Sequence, residues 1–393
     1  MYRVAIMVSQ LNGGGAEKVA ADLSIMLSQN SKYEVYLFLD TFSPKESYGY
    51  KGKKVISKRR KLVKGGSRVK QWVNAIWRAQ EYRRLKKEYD IDCTISFMQP
   101  YNLLNILSRR MGEKVILTVH TTSSKRKDLF HNIAYHPSVY PLYRWAHQII
   151  AVSEYCRKDL IYNCGVNANK VSVIFNPLNL TEIQKKQKEC SVDMSEDFLL
   201  SVGRLEDVKQ QWHMIRAFSK VIKVRPDAKL FLVGKGVNEK YLRKLVRDYK
   251  MEENVLFWGQ QKNPYQFMGH SKAIIVTSAS EAFPVSVIEA FACGIPVIAG
   301  DCPGGIHELM TQERVGRVTQ NKKVDRGIIT PRLDGKKYSA KDELTQAELL
   351  LADAMIEMLI NEAFVASCKE KCYALAQKLD MSFIGECWEQ ILS

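Results

Sequence analysis

Short unbroken apolar runs alternate with amphipathic stretches along the whole chain. The runs Val4–Val8, Val35–Leu39, Cys93–Phe97, Val115–Val119, Ile149–Val152 and Val171–Phe175 are rich in β-branched residues. Phe198–Val202, Leu230–Val233, Val255–Trp258, Ile274–Thr277 and Val297–Ala299 are apolar runs of similar length. Strands of a parallel sheet covered on both faces have this pattern. Between them, apolar spacing predicts helices at 16–29, 69–88, 154–162, 209–224, 239–250, 285–293 and 346–360. Strand–helix alternation written twice predicts an α/β chain of two doubly wound, Rossmann-like domains, 1–178 and 179–375, facing a cleft where ligands bind. A C-terminal helix at about 376–393 is expected to pack back on the first domain. The break falls at Asn176-Pro177-Leu178-Asn179, where a polar stretch rich in Lys and Gln (182–192) precedes the next strand. Residues 316–347 show few clear elements and read as a long functional or mobile loop.

Composition narrows the class. A chain of 393 residues, 46% apolar and 26% charged, fits a soluble globular protein of two domains. That excludes a disordered chain, a collagen and a small disulfide scaffold. No run approaches the ~20 apolar residues of a membrane-spanning helix. The opening MYRVAIMVSQLNGGG reads as a first strand rather than a signal peptide. Nine cysteines without regular spacing read as reduced thiols in a cytosol. Cys368 and Cys372 lie one helical turn apart, but a structural metal would need two further ligands, and none is evident.

Charge is unevenly spread. Residues 1–180 hold 29 Lys/Arg against 13 Asp/Glu, whereas residues 181–393 hold 30 against 29. Eleven basic residues and no acid lie between Lys51 and Arg78. The asymmetry points to an anionic partner for the first half. Nucleic acid is disfavoured, because no helix-turn-helix, zinc-finger or RNP-type motif accompanies the charge. In 69–88, Val69, Trp72, Val73 and Ile76 recur at helical spacing beside Trp77, and Lys70, Arg78, Arg83, Arg84, Lys86 and Lys87 supply charge. This reads as an interfacial helix whose apolar stripe mostly covers the sheet while the bases meet an anionic membrane surface.

Three segments carry candidate chemistry. Asn12-Gly13-Gly14-Gly15-Ala16-Glu17 follows a strand and opens a helix. Glycines there admit a ligand to the backbone, and a helix amino terminus favours an anion. The G-x-G-x-x-G dinucleotide fingerprint fails at Lys18, which disfavours an NAD oxidoreductase. Ser201-Val202-Gly203-Arg204-Leu205, with Lys209 beyond, puts two cations at a strand's carboxyl end, where they suit a diphosphate. Glu281 and Glu289 lie either side of the start of a small-residue helix, a spacing open to polyol binding or to acid–base work.

GGGAE, VGRL with its downstream Lys, LVGKG, EAFPVSVIEAFACGIPVIA and GGIHEL occur in this order across essentially the whole chain. Together they resemble the retaining nucleotide-sugar glycosyltransferases of family four, which have the GT-B fold. The resemblance implies that Arg204 and Lys209 hold the donor diphosphate and Glu289 the ribose hydroxyls. Glu281 would face the transferred sugar, and backbone around Phe283, Pro284 and Val285 would line sugar and phosphate. Gly14 and Gly15 would close on the donor from the first domain, with His120 beside the reacting carbon. Ala282 replaces the family's usual glycine and adds a methyl beside the donor sugar. Gln210 replaces another common glycine at a helix start, a change expected to be neutral.

The implied enzyme is a retaining hexosyltransferase acting by front-face departure and attack, with no cofactor and no metal. Asp90-Ile91-Asp92 spells a D-x-D but precedes a strand, so it reads as a chance match. The donor expected is a nucleotide diphosphate sugar, UDP-linked before GDP-linked. The acceptor is a saccharide or polyprenyl-diphosphate-linked saccharide in surface polysaccharide or glycolipid synthesis. The setting is cytoplasmic, peripheral on the inner face of the cell membrane. A sugar-nucleotide epimerase of the same fold and a non-catalytic nucleotide-sugar-binding protein are the alternatives.

Overall fold

The computed structural model describes residues 1–11, 14–40, 48–57, 67–122, 124, 136–189, 197–313 and 316–393. Asn12, Gly13, Cys190 and residues 58–66 of the basic run lie outside the described residues. The chain divides into two compact units, Met1–Pro177 with Met381–Ser393, and Leu178–Asp380.

Unit 1 is built on strands β1 (Tyr2–Val8), β2 (Tyr33–Leu39), β3 (Lys53–Ile56), β4 (Cys93–Phe97), β5 (Lys114–Val119), β6 (Gln148–Ala151) and β7 (Val171–Val173). They form one sheet in the order β3-β2-β1-β4-β5-β6-β7, every pair parallel. The helices are α1 (Gly15–Gln29), α2 (Arg68–Glu88), α3 (Gln99–Leu107) and α4 (Glu154–Lys158), the last running on as a π turn over Asp159–Asn163. Val4, Ile6 and Val8 of β1 pack with Val19, Leu23 and Leu27 of α1 in one core. Sequence order reverses between β1 and β4, so the carboxyl ends of those strands flank the switch point at which such sheets take ligands.

Unit 2 repeats the plan. Its helices are α5 (Leu180–Gln187), α6 (Gln211–Val224), α7 (Glu239–Asp248), α8 (Tyr265–His270), α9 (Val285–Ala292), α10 (Ile306–Met310), α11 (Gln346–Ile360) and α12 (Glu362–Gln377). Its strands are β8 (Phe198–Val202), β9 (Lys229–Val233), β10 (Val255–Gly259), β11 (Ala273–Val276), β12 (Val297–Gly300), β13 (Lys322–Val324) and β14 (Gly327–Thr330). The order is β10-β9-β8-β11-β12-β14-β13, parallel except for the β13–β14 hairpin. The switch point lies between β8 and β11. Trp212, Ile215 and Phe218 of α6 pack with Leu351, Met355 and Met358 of α11 over the sheet. Helix α13 (Met381–Leu392) returns to unit 1 and buries Ile384, Trp388 and Leu392 in its core.

Several expectations need correction. The first part of the polar stretch after the break belongs to helix α5, which ends at Gln187 and is capped by the Asn179 side chain accepting from the Glu182 N–H. Residues 316–347 are not one bare loop. They contain β13 and β14, and the Arg216 guanidinium of α6 binds the carbonyls of Ser339 and Glu343, the latter at 2.7 Å. Two helices, α12 and α13, stand at the carboxyl end, and only the second joins unit 1. Helix α6 begins at Gln211, because Asp207–Lys209 form a 3-10 turn and Gln210 is left-handed at φ 52°.

Helix α2 departs most from its reading. Val69, Ile76 and Trp77 are exposed at 70%, 47% and 62%, and Val73 is exposed as well. The helix packs inward through Ala75, Ala79, Tyr82 and Leu85 instead. Two of its expected surface bases are buried, Arg78 on Asp40 and Lys86 on Glu113. That face packs on α3, with Tyr82 stacked on Phe38 of β2, which leaves the large apolar residues on the opposite side.

Candidate active site

In unit 2 the expected residues gather at strand carboxyl ends. Lys209 follows β8 and Glu281 follows β11, so they straddle the switch point. Lys209 Nζ lies 2.6 Å from Glu281 Oε1, with the two side chains 25% and 12% exposed. Ser278 Oγ donates to the same carboxylate oxygen at 2.6 Å. The loops are tied by backbone: the Ala279 N–H bonds the Val208 carbonyl at 2.8 Å, and Thr277 Oγ1 donates to the Lys209 carbonyl at 2.8 Å. The pair is therefore held in place yet reachable from solvent.

Two glycines make the backbone close enough. Gly234, φ 150°, follows β9, and a Cβ there would lie 1.9 Å from the Gly203 carbonyl oxygen. Gly304, φ 139°, would place a Cβ 1.5 Å from the Glu281 carbonyl oxygen. No larger residue fits either place without moving the strand ends.

Arg204 lies directly after Gly203. Its side chain is 65% exposed and pairs with Glu206 at 2.9 Å. Phe283 is buried. Pro284 caps α9 without any side-chain bond, and Val285 opens that helix. Glu289 lies further along the same segment, inside helix α9. It is buried on α9, where Tyr265 Oη donates to its Oε1 at 3.0 Å. Tyr265 was not legible in the sequence: it stands 24 residues from Glu289 and meets it only because α8 packs on α9. Cys302, beside Glu281, has its thiol pushed up to about 12, by burial first and by that carboxylate second.

Gly14, Gly15 and His120 belong to unit 1. Gly14 caps α1 and Gly15 opens it, with no side-chain cap. His120 follows β5, stacked on Phe97 at 5.2 Å between ring centroids with planes 27° apart. Burial pushes its pKa down to about 4, so the ring is neutral. The D-x-D carboxylates are engaged by Arg3: Asp90 takes its guanidinium at 2.9 Å and Asp92 its backbone N–H at 2.7 Å. Among the described residues, no helix is long and apolar enough to cross a membrane.

Two family descriptions match the chain in succession. Residues 13–182 match Glycosyltransferase Family 4, and residues 182–327 match Glycosyl transferases group 1. The chain is 28% identical over 328 residues to N-acetylgalactosamine-N,N'-diacetylbacillosaminyl-diphospho-undecaprenol 4-alpha-N-acetylgalactosaminyltransferase of Campylobacter jejuni, covering 81% of this chain and 86% of that one. It is 28% identical over 157 residues to the lipopolysaccharide 1,6-galactosyltransferase of Salmonella typhimurium, covering 39% and 43%. Among solved structures, Anabaena HepE in complex with UDP and glucose aligns with a TM-score of 0.74 at 18% identity, covering 100% of this chain and 99% of that one.

Proposed function

The chain belongs to glycosyltransferase family 4 and has the GT-B fold, and from that premise we propose that it moves a sugar from a UDP-sugar to a polyprenyl-diphosphate-linked saccharide with retention at the anomeric carbon. The observation that carries this reading is the Lys209–Glu281 pair at the β8/β11 switch point, a cation and a carboxylate held at the strand ends. Lys209 and Arg204 neutralise the leaving diphosphate, so no metal or other cofactor is required. Glu281 accepts hydroxyls of the transferred sugar, and Glu289, oriented by Tyr265, accepts those of the ribose. The N–H groups of Phe283 and Val285 face the donor; Pro284 has none to give. In unit 1, Gly14 and Gly15 at the start of α1 and His120 at the end of β5 are that unit's own candidate substrate contacts. The chain supplies position and electrostatics rather than a nucleophile. UDP is favoured by the UDP complex of the Anabaena protein, and the lipid diphosphate by the acceptor named for the Campylobacter enzyme.

A membrane role fits the surface of α2. Val69, Val73, Ile76 and Trp77 stand exposed beside the exposed bases Arg68, Lys70, Arg83 and Lys87. Apolar residues to insert and cations to meet lipid phosphates make an interfacial helix, peripheral on an anionic cytoplasmic leaflet, where a polyprenyl carrier is presented. Flotation with vesicles of rising anionic lipid checks it. Binding should fall with salt and with Trp77→Ser combined with Lys70→Ser; binding unaffected by salt points to a soluble acceptor.

The test of the activity is incubation of UDP-sugars with a lipid-linked acceptor, with the product's anomeric configuration read by NMR. Retention and full activity in EDTA are expected. An inverted product, or a requirement for divalent metal, overturns the mechanism. Free epimerised sugar formed without acceptor would establish the epimerase reading in its place.

A further inference from the structure

We infer that Thr118 is a positioning residue that fixes His120 in the tautomer protonated at Nε2, so that His120 meets substrate through Nδ1 as a hydrogen-bond acceptor. The inference rests on the placement of His120 in the site proposed above, but its structural part stands without any substrate.

The proton count follows from three atoms. Strand periodicity puts residues 118 and 120 on the same face of the chain at the end of β5. Thr118 Oγ1 lies 2.8 Å from the Ser96 carbonyl on the neighbouring strand β4, and 3.0 Å from His120 Nε2. A carbonyl oxygen only accepts, and a hydroxyl has one proton to give. If that proton went to His120, two oxygens would face each other at 2.8 Å with no hydrogen between them. Both short contacts are satisfied only when Thr118 donates to Ser96 and accepts from His120 Nε2–H.

The relay is braced on every side. Asn102 Nδ2 donates to the Thr118 carbonyl at 2.9 Å, while its Oδ1 accepts from Ser96 Oγ at 2.8 Å. Asn105 Nδ2 donates to Ser96 Oγ at 3.1 Å. Thr94, Ser96, Asn102, Asn105 and Thr118 are all buried. A buried network with its members satisfied is rigid and specifies one arrangement. The Phe97 ring then holds the plane of the imidazole.

The second proton is absent too, because the burial that lowers the His120 pKa keeps the ring neutral. Nδ1 therefore carries a lone pair. Its substrate partner must be a donor, which in a sugar is a hydroxyl. An acceptor nitrogen rejects an analogue in which that hydroxyl is removed or methylated, because the site is then left unpaired.

Long-range 15N–1H NMR of histidine-labelled protein without ligand tests the assignment, with the His120 signals identified by their loss in His120→Gln. Nε2 should appear at the protonated and Nδ1 at the unprotonated shift. Thr118→Val should give a mixture of tautomers and lower kcat about tenfold with little change in KM, and Thr118→Ser should restore both. An Nδ1-protonated ring in the wild-type protein overturns the inference, and this readout does not depend on whether Thr118→Val folds. Inactivity on every UDP-sugar with the expected tautomer intact would instead count against the proposed function.

Discussion

Two ion pairs of the same chemistry sit in different surroundings in the two units. In unit 1, Lys86 Nζ sits 2.7 Å from Glu113 Oε1 with both side chains sealed, 0% and 1% exposed. In unit 2, Lys209 and Glu281 are as close, yet 25% and 12% exposed. The first pair lies between α2 and the start of β5, and its remaining valences are filled: Asn105 Oδ1 accepts from Lys86, and Thr94 Oγ1 and the Arg110 N–H donate to Glu113. The second pair lies at strand ends over a switch point, where water reaches both side chains. Burial and valence, rather than residue type, separate a structural pair from a working one. The same contrast divides α2 against itself, since Arg78 and Lys86 are spent inside the fold while Lys70 and Lys87 remain on the surface.

The largest effect that sharpens this contrast is on stability. Lys86→Met leaves the Glu113 charge buried without its cation, which costs ~3–5 kcal/mol. Urea unfolding should show that loss, while the affinity of the folded protein for UDP stays at the wild-type value. If Lys86→Met instead lowered UDP affinity with stability unchanged, the division of labour between the two pairs would be wrong.

Lys209→Ala should do the reverse. Losing one preorganised cation at the diphosphate costs ~2–4 kcal/mol of transition-state stabilisation, or roughly 30- to 1000-fold in turnover. The melting temperature should hardly move, because the side chain is reachable by water. Arg204→Ala, at a more exposed position, should fall toward the lower end of that range. Turnover within a factor of two of wild type in Lys209→Ala would remove the site's central residue.

The two carboxylates of unit 2 separate next. Glu289→Ala should weaken binding of UDP itself by ~1.5–3 kcal/mol, the scale of a hydrogen bond to a charged group. Tyr265→Phe should reproduce a part of that loss, since it removes the hydrogen bond to the carboxylate Oε1. Glu281→Ala should leave UDP binding nearly intact and abolish transfer. Calorimetry with free UDP on the three variants reads this directly, and equal losses for Glu281 and Glu289 would merge roles that are assigned separately.

What could be read beforehand follows the same line between local and tertiary causes. Central strands such as β1, β4 and β8 are mostly apolar, so their positions were plain. Strand β3 was hidden because Lys53-Lys54-Val55-Ile56 sits in a basic run and only Val55 is buried. Helix α3 was hidden by Pro100, which breaks the reading of QPYNLLNIL although proline is welcome in a first turn. The positions of Lys209, Glu281 and Glu289 were legible because they follow strand ends and flank a helix start. Tyr265 and Thr118 were not, because each acts through a partner that only packing or sheet pairing supplies. The outward stripe of α2 was misread because periodicity shows that a helix has two faces and not which one the sheet will take.

The smallest effects concern two residues of positive φ, one in each unit, on opposite sides of the switch points. Met98 closes β4 and caps α3 at φ 69°, ψ 160°. Gln210 follows the β8 turn and caps α6 at φ 52°, ψ 37°. Both lie beside a switch point, but their strain differs. Gln210 occupies the ordinary left-handed helical well, which costs an L-residue roughly 1 kcal/mol. Met98 occupies a region that is almost glycine's alone, where the cost runs to ~1–3 kcal/mol. Glycine relieves the strain at either place while loosening the unfolded chain by ~0.4–1 kcal/mol. Met98→Gly should therefore stabilise the protein measurably, and Gln210→Gly should change it by less than ~1 kcal/mol. The Gln210 side chain packs near Gly335, so its removal also forgoes that contact. Denaturant midpoints of the two variants decide the order. A larger gain from Gln210→Gly would mean that the surroundings of Met98 hold its backbone without strain, and that the two switch points are built more alike than their dihedral angles indicate.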